Sequence, residues 1–336
     1  MASNDRLLSV KKTNRGGVKL PYEFTQLLKG LCCVMIALHH YSQYMIAEGL
    51  SNNLFYQFFS TQGGYAGVAM FFFLSGYGLM ESETKRHLNI WQFVVKRFWK
   101  IYKAVLIINV LHYGSILCWE YFNTGIWPAI DWNLLLSVAK LDYHFWFVNT
   151  LFYLYIGFVI STQITKVKVR NIVSIASSLI VFLYLWLRGE PSNHLFSIPL
   201  FAIGICASLY KERCAIIINS AWTWIVIGIC TMAICYLLYI THNAGPIHLI
   251  ANILMIAGLL WFATGYEVKL GFKSFLGYVS FPIYLVHWKV ILLSSSLGYI
   301  APLWLYLLLI IYLAWLLQKT LEISLIRNYY VKNNRI

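Results

Sequence analysis

Charged side chains are scarce in this chain of 336 residues: they make up 11% of the sequence, and only 12 residues are acidic. Hydrophobic residues make up 60% of it. Apolar runs of about 18 to 25 residues, the length that crosses a bilayer, recur along almost the whole chain. Long polar segments are absent, because no connection between these runs exceeds about 25 residues. The composition therefore excludes a soluble enzyme and predicts a polytopic membrane protein without an appended soluble domain.

The cysteines show no pattern of a cross-linked or metal-binding protein. All 7 lie in or beside apolar runs, without the paired spacing of a zinc site. We interpret them as small packing residues and expect neither a disulfide framework nor a metal site. Residues 1–20 also lack the apolar core and cleavage site of a removable signal peptide. The first apolar run is therefore expected to remain as a membrane span.

Hydropathy predicts an all-α bundle of about ten transmembrane helices. We divide the chain into a basic cytoplasmic tail (residues 1–23), a transmembrane domain (residues 24–326) and a second cytoplasmic tail (residues 327–336). The predicted spans are Phe24 to Ile46, Gly64 to Met80, Trp99 to Tyr121, Phe145 to Ile164, Ile172 to Leu187, Leu195 to Tyr210, Ala221 to Thr241, Ile247 to Thr264, Phe275 to Leu297 and Pro302 to Ile326. The longest outer connection, Phe122 to His144, is expected to contain a short interfacial helix around LLLSVA.

The net charge of +14 is explained by membrane orientation rather than by nucleic-acid binding. With ten spans, the basic connections and both termini fall on one side, and only Lys140 and Arg188 fall on the other. Because Lys and Arg concentrate in cytoplasmic loops, we expect both termini to be cytoplasmic. The expected location is the cytoplasmic membrane, with lipids as partners and no nucleic acid.

Lys29 and His40 lie inside the otherwise nearly uncharged first span. Eleven helical residues turn by about 1100°, so the two side chains share one face, whereas His39 is offset by about 100° and is expected to point away. By helical rise, Lys29 lies about 8 Å and His40 about 24 Å from the cytoplasmic start of the span. Ionisable groups at such depths are costly and usually functional. An imidazole titrates near neutral pH, which suits a general base.

Five strings resemble segments of the membrane acyltransferase 3 family. The first span reads LLKGLCCVMIALHHYS, the second reads GYAGVAMFFFLSGYGL, and the next connection ends in VVKRFWKIYKA. Further along, FWFVNTLFYLYIGF resembles the family's tryptophan-bearing middle span. SFPIYLVHW resembles its late Ser-aromatic-x-Ile-Tyr-Leu-x-His segment. The resemblance runs from about Lys29 to His287.

This resemblance implies an integral membrane O-acyltransferase that transfers an acyl group, commonly acetyl from acetyl-CoA, to hydroxyls of cell-surface or lipid-linked glycans. Acyl-CoA is then a donor substrate, and no permanently bound cofactor is implied. The family pattern of a basic residue, ten positions and a His falls on Lys29 and His40, which selects His40 as the general base. The family usually has Arg where this chain has Lys29, and its Arg-x-x-Arg pattern here runs from Arg97 to Lys100. Lysine loses the bidentate geometry of arginine at both positions.

Two further groups are candidate binding residues. Arg97, Lys100 and Lys103 crowd the cytoplasmic end of the third span, where they suit the phosphates of CoA. The positive-inside rule and attraction to anionic lipid explain the same charges without a ligand. For the acceptor, the candidates are His287, Lys289, Tyr284 and Asn149, with His287 and Lys289 about 18 and 21 Å into the ninth span. Hydrogen bonding between helices is the alternative explanation for these polar residues.

Two other functions fit a basic polytopic bundle with ionisable residues in its spans. One is a transporter or flippase of a glycan precursor, which broken paired helices and internal symmetry would favour. The sequence shows neither feature. The other is a multispan glycosyltransferase that handles polyprenyl-linked sugars. The spacing from Lys29 to His40, together with the FFFLSGY and IYLVH strings, favours acyl transfer.

Overall fold

The computed structural model describes residues 8–12, 20–139, 145–219, 245–270 and 275–333, and these are almost entirely helical. In chain order the elements are β1 (Leu8–Lys12), α1 (Tyr22–Ala47), α2 (Leu54–Phe58), a π-helix (Phe59–Gly63), α3 (Gly64–Lys85), α4 (Ile90–Thr124), α5 (Trp132–Ala139), α6 (Trp146–Thr162), α7 (Val167–Leu187), α8 (Ser192–Leu195), α9 (Pro199–Leu209), α10 (Lys211–Asn219), α11 (Gly245–Gly265), β2 (Tyr266–Leu270), α12 (Phe275–Tyr278), α13 (Ser280–Ser296) and α14 (Leu303–Asn333). The predicted helical architecture is therefore confirmed.

The two strands form an antiparallel ribbon that hydropathy did not predict. Leu8 lies opposite Leu270, and Lys12 lies opposite Tyr266. The ribbon links the basic N-terminal segment to the chain just before α12. The division of the chain into two tails and a transmembrane domain stays a prediction.

Four helical segments in the described ranges are long and apolar enough to cross a membrane: Leu54–Lys85, Arg97–Thr124, Val167–Leu187 and Leu303–Ile323. Shorter apolar helices cover Trp146–Thr162, Pro199–Leu209 and Pro246–Trp261. Every predicted span falls on a helix except Ala221 to Thr241, which lies outside the described residues. The count of ten spans and the cytoplasmic side of the termini remain predictions.

Helices α3 and α9 pack backbone against backbone through a reciprocal pair of glycines. A Cβ atom at Gly76 would collide with the carbonyl oxygen of Phe201, and one at Gly204 would collide with the carbonyl oxygen of Phe73. Small residues permit this close approach, in which van der Waals contact replaces the hydrophobic effect as the force between membrane helices. The FFFLSGYGL string therefore packs α3 tightly against α9.

Helix α1 is held against the C-terminal helices by two buried tyrosines. The Tyr306 hydroxyl lies 3.3 Å from the carbonyl oxygens of both Ala37 and His287, and the Tyr41 hydroxyl donates to the Ala301 carbonyl at 2.8 Å. The two tyrosine rings stack with centroids 4.7 Å apart. These contacts fix α1, α13 and α14 relative to one another at the level where the polar residues of α1 lie.

The connection after α4 contains the expected short helix, α5. This helix is not confined to the end of α4, because its last residues contact the middle of α4. The Asp131 carboxylate caps α5 by accepting from the Leu134 amide at 2.8 Å, and this bond lowers the pKa of Asp131. At the other end, the Asn109 side chain donates to the Val138 carbonyl at 3.0 Å, and the Tyr102 hydroxyl donates to the Ala139 carbonyl at 3.3 Å. Asn109 lies midway along α4, so the connection folds back along that helix. Val138 and Ala139 are the last residues of α5, so side chains of α4 supply partners for carbonyls that have none within the helix.

A buried carboxylate joins the end of α3 to the start of α7. Only 1% of the Glu83 side chain is exposed, and it accepts from Arg170 at 3.3 Å and from the Leu88 amide at 2.8 Å. His87 lies 2.9 Å from the same carboxylate. The hydropathy pattern gave no indication of this ion pair, which fixes the helix ends on the side predicted to be cytoplasmic.

Candidate active site

A cavity of about 210 Å³ lies between α1, α3, α6 and α13, with the connection before α9 at its edge. Histidines and aromatic rings dominate its walls. They include His39, His40, His194, Tyr65, Trp146, Phe147, Tyr284 and Trp288. None of the described residues that line the cavity is acidic. The walls therefore offer imidazole, phenol and amide groups together with aromatic faces.

His40 is half-buried at this cavity and packs against α13. Its ring stacks on the ring of His287, with centroids 5.2 Å apart, and meets the edge of Trp288 at 5.3 Å. His287 is itself oriented by a 2.6 Å hydrogen bond between its Nδ1 and the Tyr284 carbonyl. The carbonyl only accepts, so Nδ1 carries the proton. The structure thus places the predicted base beside the predicted acceptor residue His287.

His39 also lines the cavity, although it is offset by about 100° from His40 around α1. The cavity extends around more than one face of this helix and therefore contacts both side chains. The His39 ring is buried, with only 4% exposed, and its centroid lies 5.0 Å from that of His40. Its Nδ1 lies 2.8 Å from the Phe59 carbonyl oxygen.

His194 and Trp146 form a stacked pair at the edge of the cavity. Their ring centroids are 3.8 Å apart and their planes differ by 8°. His194 belongs to the short helix α8, outside the predicted spans, and burial lowers its pKa to about 4, with a smaller contribution from His39. Glu190 lies 3.8 Å from its Nδ1. His194 is therefore neutral near pH 7.

Two of the predicted donor residues, Arg97 and Lys100, lie near the N-terminal part of α1 that carries Lys29. Arg97 and Lys100 lie within electrostatic range of Lys29. The Arg97 guanidinium donates to the Tyr155 hydroxyl at 3.3 Å and lies over the Tyr155 ring at 5.4 Å. Arg97 and Lys100 are exposed, while Lys29 and Lys103 are half-buried. By helical rise, Lys29 lies about 16 Å along α1 from His40.

Three of the four predicted acceptor residues, His287, Lys289 and Asn149, do not line the cavity, although His287 stacks on His40. Lys289 is buried, with its ammonium 5.6 Å from the centre of the Tyr113 ring and 5.8 Å from that of Phe145. Asn149 is half-buried on α6 and, like Lys289, does not line the cavity. Tyr284 does line it and packs edge-on against Phe147 at 5.3 Å.

Comparison with known proteins identifies the family to which the chain belongs. A family model described as an acyltransferase domain matches residues 22–317. The chain belongs to the acyltransferase 3 family. No curated protein and no solved structure matches it. The match begins at the start of α1 and ends within α14, so the cavity and the basic group both lie inside the acyltransferase domain.

Several residues that line or support the cavity of this acyltransferase 3 member were not found from the sequence: His194 lines it, the Phe59 carbonyl contacts His39, and Tyr306 contacts the backbone of α1 and α13. His194 lies in an outer connection and Tyr306 in an apolar span, and neither belongs to a string that resembles the family. The Phe59 carbonyl is a backbone group and leaves no signal in the sequence. Within the described ranges, no three His, Cys, Asp or Glu side chains form a set that could hold a metal ion.

Proposed function

We propose that this acyltransferase moves an acyl group, most simply acetyl, from cytoplasmic acyl-CoA to a hydroxyl of a cell-surface or lipid-linked glycan. One observation carries the proposal. His40 lies at the wall of a cavity, and Lys29, on the same helix and about 16 Å away, lies within electrostatic range of Arg97 and Lys100. A long donor with an anionic end and a reactive end matches this separation between cations and a base.

The donor would bind with its phosphates at the basic group. Arg97, Lys100 and Lys103 supply charge-assisted hydrogen bonds, and Lys29 adds a point charge deeper along α1. Tyr155 supports this arrangement, because its hydroxyl and ring hold the Arg97 guanidinium in one position. The pantetheine arm would then run along α1 and present the thioester to the cavity.

His40 would act as the general base. As the acceptor hydroxyl attacks the thioester carbonyl, its proton passes to the His40 imidazole. The new carbon–oxygen ester bond forms and the carbon–sulfur bond breaks. The CoA thiolate leaves and takes the proton from His40, so the imidazole returns to its neutral state. His287 supports this role by holding the His40 ring from one side.

The acceptor would be a neutral sugar ring. Its hydroxyls suit the imidazole and phenol groups of the walls, and its apolar face suits aromatic rings such as Trp146 and Trp288. Transfer from a cytoplasmic donor to an envelope polysaccharide requires a protein in the cytoplasmic membrane. The predicted orientation, with both termini inside, puts the basic group at the cytoplasmic face and His40 nearer the outer surface.

The test compares parental protein with His40→Ala in cells and after purification. Mass spectrometry of surface glycans, with and without the protein, identifies the acyl group and the sugar from the added mass. We expect His40→Ala to bind acetyl-CoA normally and to lower transfer by about 10² to 10⁴. Transfer at close to the parental rate by the purified variant would refute the assignment of the base. Glycans of unchanged mass with and without the protein would refute the acceptor class.

A further inference from the structure

We propose that His39 is a second functional histidine, which accepts a hydrogen bond from the sugar hydroxyl next to the one that is acylated. The inference rests on the proposed function and adds to it a residue that recognises the acceptor. It predicts that the acceptor carries two neighbouring free hydroxyls. One of them reacts at His40, and the other is held by His39.

The first argument is that His39 lies in a site built by two backbone features. The Phe59 carbonyl, to which its Nδ1 is bonded, opens the π-helix Phe59–Gly63. Such single-turn π-helices are rare and occur frequently at functional sites. Gly64, which follows, has no side chain between its backbone and the imidazole. A Cβ atom there would overlap the His39 ring, 2.5 Å from its Cγ. The ring is therefore fixed on two sides by α3 and the segment before it.

The second argument is that this site fixes which nitrogen of His39 can act. A carbonyl oxygen only accepts, so the bond at Nδ1 requires that Nδ1 carries the proton. The lone pair of the neutral ring is then on Nε2. A histidine that lines a cavity in this form is a hydrogen-bond acceptor of fixed orientation. A sugar hydroxyl is the matching donor.

The third argument is the position of His39 relative to His40. The two centroids are 5.0 Å apart and the ring planes differ by 68°. Both residues line the same cavity, and no carboxylate among the described residues lines it. Two imidazoles that are this close and differ in orientation can each contact one of two adjacent hydroxyls of the same sugar ring. Holding the second hydroxyl orients the first for attack, which is the advantage of fixing a substrate at two points.

The experiment uses amide replacements that separate the two nitrogens of His39. In His39→Asn the amide nitrogen takes the place of Nδ1 and keeps the Phe59 bond, but nothing replaces Nε2. In His39→Gln the amide oxygen reaches the place of Nε2, where it accepts a hydrogen bond but cannot take a proton. His40→Asn is the matched control in the same helical turn. Two quantities are measured: acylation of surface glycans in cells by mass spectrometry, normalised to folded protein, and affinity for acetyl-CoA after purification.

We expect glycan acylation to fall about tenfold or more in His39→Asn, and to recover partly in His39→Gln, with acetyl-CoA affinity unchanged in both. A loss of that size corresponds to about one hydrogen bond to the acceptor. Recovery in His39→Gln separates acceptor binding from proton transfer, which an amide cannot perform.

Three results would overturn the inference. Parental acylation by His39→Asn would show that Nε2 is not used. Equal loss in the Asn and Gln variants would assign His39 to proton transfer or to packing. Loss of acetyl-CoA affinity in step with acylation would also show a structural role. The proposed function is tested separately, because it fails if His40→Asn acylates glycans at the parental level, whatever the His39 variants do.

Discussion

The buried carboxylate of Glu83 gives the clearest prediction on stability. Glu83→Ala removes a group that is 1% exposed and leaves the Arg170 guanidinium and the Leu88 amide without their acceptor. Breaking a buried pair by removing one partner costs about 3 to 5 kcal/mol. Glu83→Gln keeps an acceptor for the Leu88 amide but loses the ionic attraction, so it should cost less. The matched control is Glu48→Ala, because Glu48 is exposed just after α1.

The assay uses the protein's own thiols. Cys32 and Cys33 are buried, with 5% and 0% exposed, whereas Cys118 is exposed. In detergent, a thiol-reactive dye should label Cys118 at once and the buried pair only when the bundle opens on heating. At roughly 2 to 4 °C per kcal/mol, Glu83→Ala should lower the midpoint by on the order of 10 °C, with almost no shift for Glu48→Ala. A shift for Glu83→Ala no larger than that of the control would refute the assignment of a stabilising ion pair.

The remaining predictions concern the basic group, the stacked histidine and the glycine contact. Arg97→Ala should weaken acetyl-CoA binding about tenfold, and by more at low salt. The control is Arg188→Ala, at another arginine that lies over a tyrosine ring, and it should leave the affinity unchanged. Equal affinities of the two variants in a binding titration would exclude a contact between Arg97 and the donor. The folded pKa of His194, about 4, lies below its ordinary value, so protonation favours the unfolded chain. About 3 kcal/mol of stability should therefore be lost as pH falls from about 6.5 to about 4, and His194→Gln should flatten this part of the pH curve of thermal unfolding. Gly204→Ala should lower the free energy of unfolding by about 1 to 3 kcal/mol, because the added methyl group overpacks the α3–α9 contact. Gly114→Ala should not lower it, because there is open space around Gly114. Equal thermal unfolding midpoints for the two variants would contradict the close α3–α9 contact.

The length of the apolar runs was enough to predict the helices, because in a bilayer every backbone group must be satisfied within its own segment. The spacing of Lys29 and His40 likewise predicted a polar face on α1. Such reasoning works within one helix, where the geometry is fixed. It could not predict that α5 folds back along α4, because that depends on side-chain bonds from Asn109 and Tyr102.

The candidate site was predicted only where residues of one helix or one family string carry it. His40 and Tyr284 both line the cavity, as their strings indicated. Lys289, two residues after His287, was expected beside them, but a helical step of about 200° turns it towards Tyr113. That His39 also lines the cavity was not predicted, because the angle around one helix does not determine how far a cavity extends around it.

The stack of His40 on His287 has a consequence for how the protein is made. His40 lies early in the chain, and its partner is added only after α1 to α11 have been synthesised. At about 5 to 20 residues per second, the interval is roughly 10 to 50 s. During that time the nascent chain already contains its basic group and its first histidines, but α1 lacks the surface on which His40 rests. Catalytic competence should therefore arrive late in translation, with the insertion of α13, so that ribosome-bound intermediates arrested before it are inactive.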